Sequence, residues 1–184
     1  MKIGIISDTH GSLLGWELAW KILENSDIII HCGDLFNHGP GNPVPEKYSP
    51  RELLNILNNL NKPVLIARGN CDSEVDQTFL NIPICYPFLL YQIENLRIIA
   101  SHGHIFKKEE WIEIGKKWKI NILISGHTHI PVLEKIDELI ILNPGSPSIP
   151  KEKIPTCAEI DLSQKTIQIF DLINFSELKK ILLK

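Results

Sequence analysis

The sequence lacks the long apolar runs that membrane-spanning and exported proteins carry. No segment approaches the roughly 18 to 20 apolar residues of a membrane span, and the apolar run from Ile3 to Ile6 is too short for a signal peptide. The four cysteines include no CxxC pair, so neither a disulfide framework nor a thiolate zinc site is indicated. These absences predict a cytoplasmic protein with reduced thiols and no membrane partner.

The chain also lacks an excess of basic residues. A formal net charge of −3 at pH 7 offers no general attraction for polyanions, which argues against a nucleic-acid partner. Apolar residues, in contrast, make up 43% of the 184 positions, enough to fill the core of one compact domain over residues 1–184. The tryptophans and the apolar residues of the tail further predict a homo-oligomer, either a dimer or a tetramer.

Strand-like and helical patterns alternate before Pro131. Helical periodicity begins at Ser12 and is found again at 51–60 and 107–119. Short β-type runs lie before, between and after these helical segments, at 2–7, 27–31, 63–67, 97–101 and 120–125. This alternation predicts a largely parallel sheet. Short runs at 132–135, 139–142, 156–161 and 166–171 predict an antiparallel second layer, and the tail 174–184 is expected to be a terminal helix or a frayed end.

Polar side chains follow five of the predicted strands, at the point where each strand ends: Asp8, Asp34, Asn70, His102 and His127. Ligands gather outside the carboxyl ends of parallel strands, so we expect these side chains to meet at the same edge of one sheet. His31 lies inside a predicted strand and is expected to be a core histidine.

Two short motifs add histidines to this set. Asp8 and His10 are two residues apart, a spacing that on an extended strand end points both side chains to the same side, where they could share one ion. His127 and His129 follow a glycine and could each bind a different ion. With these additions the candidate metal ligands number seven and combine imidazole with oxygen donors: Asp8, His10, Asp34, Asn70, His102, His127 and His129.

The mixed donor set indicates borderline divalent ions such as Mn²⁺, Fe²⁺, Co²⁺, Ni²⁺ or Zn²⁺ rather than Mg²⁺ or Ca²⁺. Seven side chains exceed what one ion accepts when a position is left open for water, so two ions with a bridging carboxylate fit the set better. Metal pairs of this kind clamp the attacking and leaving oxygens in phosphoryl chemistry. The sequence therefore predicts a dinuclear metal enzyme that acts on phosphate esters.

The order of these motifs resembles the signature of the calcineurin-like metallophosphoesterase family. The matching blocks are D-x-H at 8–10, G-D at 33–34, G-N-x-D at 69–72, H-G-H at 102–104 and G-H-T-H at 126–129. The segments 37–46, 68–76 and 143–151 are similar to the YfcE-type bacterial phosphodiesterases within that family, and the similarity extends to about residue 160. The turn at 143–146 resembles a family turn near the site and is expected to be scaffold that shapes the sheet edge. The resemblance implies an α/β fold, a four-layer α/β/β/α sandwich with two mixed sheets.

The same resemblance assigns roles to the candidate ligands. Asp8, His10 and His129 would bind a first ion, Asn70, His102 and His127 a second, and Asp34 would bridge them. The family usually carries Mn²⁺, and Asp34, Asn70 and His102 would support attack on a small phosphodiester by a hydroxide that both ions hold. Arg68 would contact the phosphoryl oxygens.

One position departs from the family pattern and leaves the proton donor open. Many members have histidine directly after the asparagine ligand, whereas this chain has Cys71, for which packing is the favoured role. The alternative donors are His38 and His104. We therefore expect a preference for esters whose leaving group needs little protonation, such as aryl phosphodiesters.

Other functions remain open at this point. A catalytically silent binding or scaffold protein could keep the same fold, and a phosphomonoesterase or nuclease could use the same metal pair. Metal ligands recognise the phosphoryl group that all these substrates share, so they do not identify the natural substrate.

Overall fold

Twelve strands and four helices make up residues 1–183, the part of the chain that the computed structural model describes. The helices are α1 (Leu13–Leu23), α2 (Pro50–Asn58), α3 (Glu74–Phe79) and α4 (Lys108–Lys117). The strands are β1 (Lys2–Ile6), β2 (Ile28–His31), β3 (Val64–Ala67), β4 (Ile84–Cys85), β5 (Leu89–Ile93), β6 (Leu96–Ala100), β7 (Ile122–Ile124), β8 (Val132–Ile136), β9 (Leu139–Asn143), β10 (Thr156–Asp161), β11 (Thr166–Asp171) and β12 (Ser176–Leu182).

The strands form two mixed sheets. The seven-stranded sheet has the order β12-β11-β10-β1-β2-β3-β4, with β1 to β4 parallel and β10 to β12 antiparallel. The five-stranded sheet has the order β5-β6-β7-β9-β8, with β6, β7 and β9 parallel and the two edge strands antiparallel. The prediction of two mixed sheets is confirmed.

The expectation of a single parallel sheet backed by a separate antiparallel layer is wrong. The strands after Pro131 are divided between the sheets: β8 and β9 extend the five-stranded sheet, whereas β10, β11 and β12 extend the seven-stranded one. Local periodicity identifies a strand but not its partner, because pairing depends on residues far away in the chain.

Alternating strand residues build the layers. Ile3, Ile5, Ile28 and Ile30 point into an apolar core shared with residues of β6, β7 and β9, so this core lies between the sheets. The opposite face of the seven-stranded sheet packs against α1 and α2, and that of the five-stranded sheet packs against α4. The resulting order of layers is α/β/β/α, as the resemblance implied.

Local sequence explains where the helices begin. The Ser12 side chain accepts the Gly15 N–H at the start of α1, and Ser73 and Asp76 form a capping box at the start of α3. Helix α3 was not predicted, because it has six residues, none of them buried, and so leaves no apolar periodicity to detect. Strands β4 and β5 were missed as well.

The tail is a strand, so the expectation of a terminal helix or a frayed end at 174–184 is wrong over the described residues. Strand β12 pairs antiparallel with β11, from Thr166 opposite Leu182 to Asp171 opposite Ser176. Most of this edge strand is exposed, including Leu178 and Leu182, and Ile181 is its one half-buried residue within 176–182. None of the helices in residues 1–183 has the length and apolar character to cross a membrane.

Candidate metal centre

The polar strand ends meet in the cleft where the two sheets face each other. Asp8, Asp34 and Asn70 follow β1, β2 and β3 of the seven-stranded sheet, whereas His102 and His127 follow β6 and β7 of the five-stranded sheet. The expectation that all five lie at the edge of one sheet is therefore wrong. Two parallel segments, one in each sheet, end at the same place and supply opposite walls of the site.

Asp8, His10 and His129 form one buried group. The Oδ1 atom of Asp8 lies 3.2 Å from His129 Nε2 and 3.8 Å from His10 Nε2, and the two Nε2 atoms are 3.1 Å apart. The Nδ1 of His10 donates to the Asn37 carbonyl at 2.7 Å, and the Nδ1 of His129 donates to the Ile149 carbonyl at 2.9 Å. These bonds leave both Nε2 lone pairs directed at the same point, as metal-binding histidines require.

Asp34 links this group to His102. Its Oδ2 atom lies 3.8 Å from His10 Nε2 and 3.3 Å from His102 Nε2, and its Oδ1 accepts the Cys71 N–H at 2.8 Å. His102 repeats the arrangement of the other histidines, since its Nδ1 donates to the Cys32 carbonyl at 2.8 Å and its Nε2 faces the site. Asp34 thus lies between two imidazoles, where a bridging carboxylate would lie.

The two remaining candidates lie on the open side. Asn70 is exposed, and its Oδ1 is 3.1 Å from His102 Nε2. His127 is exposed too, and its ring centroid is 5.1 Å from that of His102. The three compact groups of possible ligand atoms found in residues 1–183 include Asp8, His10, Asp34, Cys71, His102 and His129, but not His127.

The charges in the site favour a cation. Burial alone would raise the pKa of Asp34, but the hydrogen bond and positive charge of His102 outweigh it and hold that pKa below its usual range. Burial would conversely lower the pKa of His102, but its hydrogen bond with Asp34 and the charge of Asp8 raise it to about 9. Both shifts reflect the attraction between the buried carboxylates and positive charge in the site.

The surroundings of the Asp8 carboxylate show whether a divalent ion fits this site. Its Oδ1 atom is fully buried and has no hydrogen-bond donor among the described residues, an arrangement that is costly for a carboxylate. Three imidazole Nε2 atoms, of His10, His102 and His129, lie within 3.8 Å of it. A divalent cation would satisfy this oxygen and the ring nitrogens together, so the residues fit a metal.

Backbone conformation at the candidate ligands is unusual. Asp8, His10, Asp34, His127 and His129 have φ values of 56°, 46°, 57°, 68° and 58°, in the left-handed region that side-chain-bearing residues rarely adopt. The expectation that Asp8 and His10 share an extended strand end is wrong, since both turn sharply out of β1. Such residues cost roughly 1–3 kcal/mol each and cluster at functional sites.

Glycines let the strand-end loops approach one another closely. A Cβ atom at position 69 would clash with the Asp34 carboxylate and backbone N, and one at position 126 would clash with Ser7 and the Asp8 carboxylate. These two glycines stand directly before Asn70 and His127. Their small size therefore brings the ligand-bearing loops of different strands into contact.

Asp72 holds the loops after β2 and β3 together, a role that the sequence interpretation missed. Its carboxylate is buried and accepts the N–H groups of Asp34 at 2.9 Å, Leu35 at 2.7 Å and Gly69 at 2.7 Å. Burial raises its pKa to about 6, so it is ionised at neutral pH. The signal was available, because Asp72 is the last residue of the G-N-x-D block.

The turn after β9 supports the other side of the site. The hydroxyl groups of Ser146 and Ser148 donate to the Asp8 carbonyl at 2.8 and 2.7 Å. The side-chain amide of Asn143 donates to the Gly126 carbonyl at 2.8 Å. The expectation that this turn is scaffold is confirmed, and so is the core position of His31, which is buried and bonded to Thr9 and Gly33.

The three candidate proton donors differ in their surroundings. Cys71 is half-buried, and burial together with the charge of Asp34 raises the pKa of its thiol to about 12. His38 packs its ring edge against Tyr48, with centroids 5.3 Å apart. His104 is exposed, lies 5.4 Å from the His102 ring, and has a pKa lowered by partial burial and by the charge of His102.

Comparisons with known proteins show which family the chain belongs to. Residues 1–165 match the calcineurin-like phosphoesterase superfamily domain. The phosphodiesterase YfcE of Escherichia coli K12 is 40% identical over 153 residues, 82% of each chain. A solved structure of that phosphoesterase superposes over 100% of both chains with a TM-score of 0.88 and 33% identity.

A more distant structure shares the fold alone. Vps29 from Entamoeba histolytica, solved with Zn²⁺, matches with a TM-score of 0.71 at 20% identity over 100% of both chains. The family match, by contrast, includes every strand end that carries a candidate ligand. On this basis the chain belongs to the calcineurin-like phosphoesterase superfamily.

Proposed function

We propose that this chain is a phosphodiesterase that uses two divalent ions. The observation that carries the proposal is the position of Asp34, whose Oδ2 lies between His10 Nε2 and His102 Nε2. The buried Asp8 Oδ1 without a donor beside the same nitrogens supports it. The 40% identity to a protein named a phosphodiesterase favours diesters among phosphate esters.

Each ion would take its ligands from both sheets. Asp8, His10 and His129 would hold one ion, and Asn70, His102 and His127 the other, with Asp34 shared. Mn²⁺ is our first choice, with Ni²⁺, Co²⁺, Fe²⁺ and Zn²⁺ as alternatives for this donor set. A metal pair supplies the Lewis acidity that activates a water molecule and neutralises phosphoryl oxygens.

The protein contributes orientation and charge. Backbone carbonyls fix the Nδ1 atoms of His10, His102 and His129, so that the Nε2 atoms stay directed at the site. Asn70, on the open side, is placed to contact substrate oxygens as well as a metal. Arg68 follows β3 on the same side and would contact the phosphoryl group.

The candidate proton donors of the site are poorly suited to protonate the leaving group. The raised pKa keeps Cys71 a neutral thiol, which is a weak hydrogen-bond donor. His38 and His104 remain the alternative donors. We therefore propose a preference for aryl phosphodiesters, whose leaving groups are stable as anions; rates that do not depend on leaving-group pKa would contradict it.

The proposal extends to the domain organisation, location, self-association and substrate class of the chain. We propose one domain, a cytoplasmic location, self-association into a dimer or tetramer, and small phosphodiesters rather than nucleic acid as substrates. A scaffold role would be favoured by loss of ligands, and none of the seven candidate side chains is missing.

The decisive experiment compares bis(4-nitrophenyl) phosphate with 4-nitrophenyl phosphate in the presence of each metal. We expect Mn²⁺-dependent hydrolysis of the diester, and a loss of at least about a hundredfold in Asp34→Asn, because the bridging charge is removed. Asp137→Asn, which changes an exposed carboxylate beside Lys116, is the matched control. Purified protein without bound transition metal that stays inactive after Mn²⁺ is added would instead support a scaffold.

A further inference from the structure

Strand β4 delivers one more side chain to the edge that carries the metal centre. It pairs parallel with β3, Ala67 lies opposite Cys85, and the Arg68 N–H donates to the Cys85 carbonyl at 2.9 Å. Tyr86 therefore follows the carboxyl end of β4 as Arg68 follows that of β3, one strand spacing of about 4.8 Å away. Ligands of parallel sheets gather at this edge, so a substrate at the metal centre would lie on the same edge of the sheet as Tyr86.

The ring of Tyr86 is presented to solvent. Its relative exposure is 62%, and the Arg68 guanidinium lies 5.9 Å from its centroid. No other aromatic ring contacts it within residues 1–183. The ring borders a cleft of about 250 Å³ that is lined by Arg68, Ser73, Glu74, Gln77, Ile84 and Tyr86.

Arg68, which lines the cleft, also belongs to the loop that carries Asn70. Arg68 lies two residues before Asn70, whose Oδ1 is 3.1 Å from His102 Nε2. The Arg68 Nε donates to the Asp72 carbonyl at 3.3 Å, which ties its side chain to the loop that carries Asn70. Arg68 and Tyr86, whose guanidinium and ring centroid are 5.9 Å apart, thus follow neighbouring strands on the side of the sheet where the candidate ligands lie.

We infer that Tyr86 and Arg68 form a subsite for an aromatic ester group of the substrate, an aryl ring or a nucleobase, which stacks on the tyrosine ring. The inference rests on the proposed function. One planar ring and one guanidinium, with the side chains of Ser73 and Glu74 at the border of the cleft, suit a planar group rather than an aliphatic chain. Tyr86 sets substrate specificity and takes no part in the chemical step.

Two phosphonates that differ only in their organic group test the subsite. Phenylphosphonate and methylphosphonate are compared as inhibitors of bis(4-nitrophenyl) phosphate hydrolysis by the Mn²⁺-loaded enzyme. We expect wild type to bind the phenyl compound about tenfold more tightly, an effect typical of stacking on one aromatic side chain. Tyr86→Phe keeps the ring and should keep this preference, whereas Tyr86→Ala should reduce the ratio of inhibition constants to unity.

Phe79 provides the matched control, because its ring is 63% exposed but lies outside this cleft. Phe79→Ala should keep the wild-type ratio. An active Tyr86→Ala enzyme with the wild-type ratio, or a Phe79→Ala enzyme that loses it, would overturn the subsite while leaving the proposed function intact. A wild-type enzyme that hydrolyses no phosphodiester would contradict the proposed function itself.

Discussion

At the scale of single residues, Asp72 shows how one side chain can position a site that it does not enter. Its Oδ2 accepts N–H groups from Asp34 and Gly69, and its Oδ1 accepts the N–H of Leu35. Three donors from two loops converge on one buried charge. The geometry of Asp34 therefore depends on a residue whose own oxygens are engaged by backbone N–H groups.

We expect Asp72→Asn to weaken both stability and metal binding. The amide replaces one acceptor oxygen with an NH₂ group that faces a backbone N–H, so one or two buried donors lose their acceptor. The free energy of unfolding should fall by about 2–3 kcal/mol, and metal affinity should fall about 10- to 100-fold. Urea denaturation and metal titration measure these effects, and unchanged values for both would show that Asp72 is dispensable.

His31 gives the stability of the protein a pH dependence. Thr9 Oγ1 donates to the Leu35 carbonyl, so His31 Nε2 donates to Thr9 Oγ1 while its Nδ1 accepts the Gly33 N–H. The ring is therefore neutral, and burial lowers its pKa from 6.5 to about 4. Between pH 4 and pH 6.5, His31 binds a proton in the unfolded chain but not in the folded protein.

The sign of this effect follows from proton linkage. Stability from neutral His31 is fully present above pH 6.5 and is lost as the pH falls towards 4, with a slope of up to about 1.4 kcal/mol per pH unit. His31→Gln retains a donor and an acceptor but does not titrate. Urea unfolding from pH 7 to pH 4.5 should give a shallower profile for the variant; parallel profiles would rule out this role.

At the scale of elements, local pattern predicted most strands and helices but not their partners. The helices at 51–60 and 107–119 were correct to within a few residues, because their apolar faces repeat over several turns. Strand β4 has two residues and α3 has six, too few for any period to appear. The division of the late strands between two sheets depends on long-range pairing that no local window contains.

Strand β12, at one edge of the seven-stranded sheet, supports a prediction at this scale. Ile181 is half-buried and packs against the core between the sheets, whereas its neighbour Leu182 is 68% exposed. Ile181→Asp should lower the free energy of unfolding by about 2 kcal/mol, and Leu182→Asp should have little effect. Urea denaturation distinguishes this alternation from a frayed tail, in which both variants would be equally tolerated.

At the scale of the whole molecule, the site belongs to neither sheet alone. The motifs predicted the candidate ligands and their chemistry, because residue type and position after a strand are visible in sequence. The left-handed backbone at Asp8 and His10 and the three N–H donors to Asp72 were not visible, because both depend on how separate loops pack.

Ligands from both sheets would make a bound metal a cross-link between the halves of the fold. We expect Mn²⁺ to stabilise the protein by about 2.7 kcal/mol when its concentration is a hundred times the dissociation constant. Calorimetry should show a higher melting temperature with Mn²⁺ in wild type and a much smaller rise in Asp34→Asn. A wild-type protein whose melting temperature does not respond to any of the candidate ions would contradict the metal centre.

The left-handed backbone at Asp8 has a consequence for how such a protein can evolve. Glycine at this position would relieve backbone strain and remove a buried oxygen that has no donor. It would also remove the Oδ2 atom that accepts the His127 N–H at 3.0 Å, but His127 is exposed, so water can replace that acceptor. Metal-free Asp8→Gly should therefore melt above metal-free wild type while losing the response to Mn²⁺, and a lower melting temperature would refute this. Selection for heat resistance and selection for catalysis then act in opposite directions on one residue, and a lineage released from catalysis would drift towards glycine with both sheets intact.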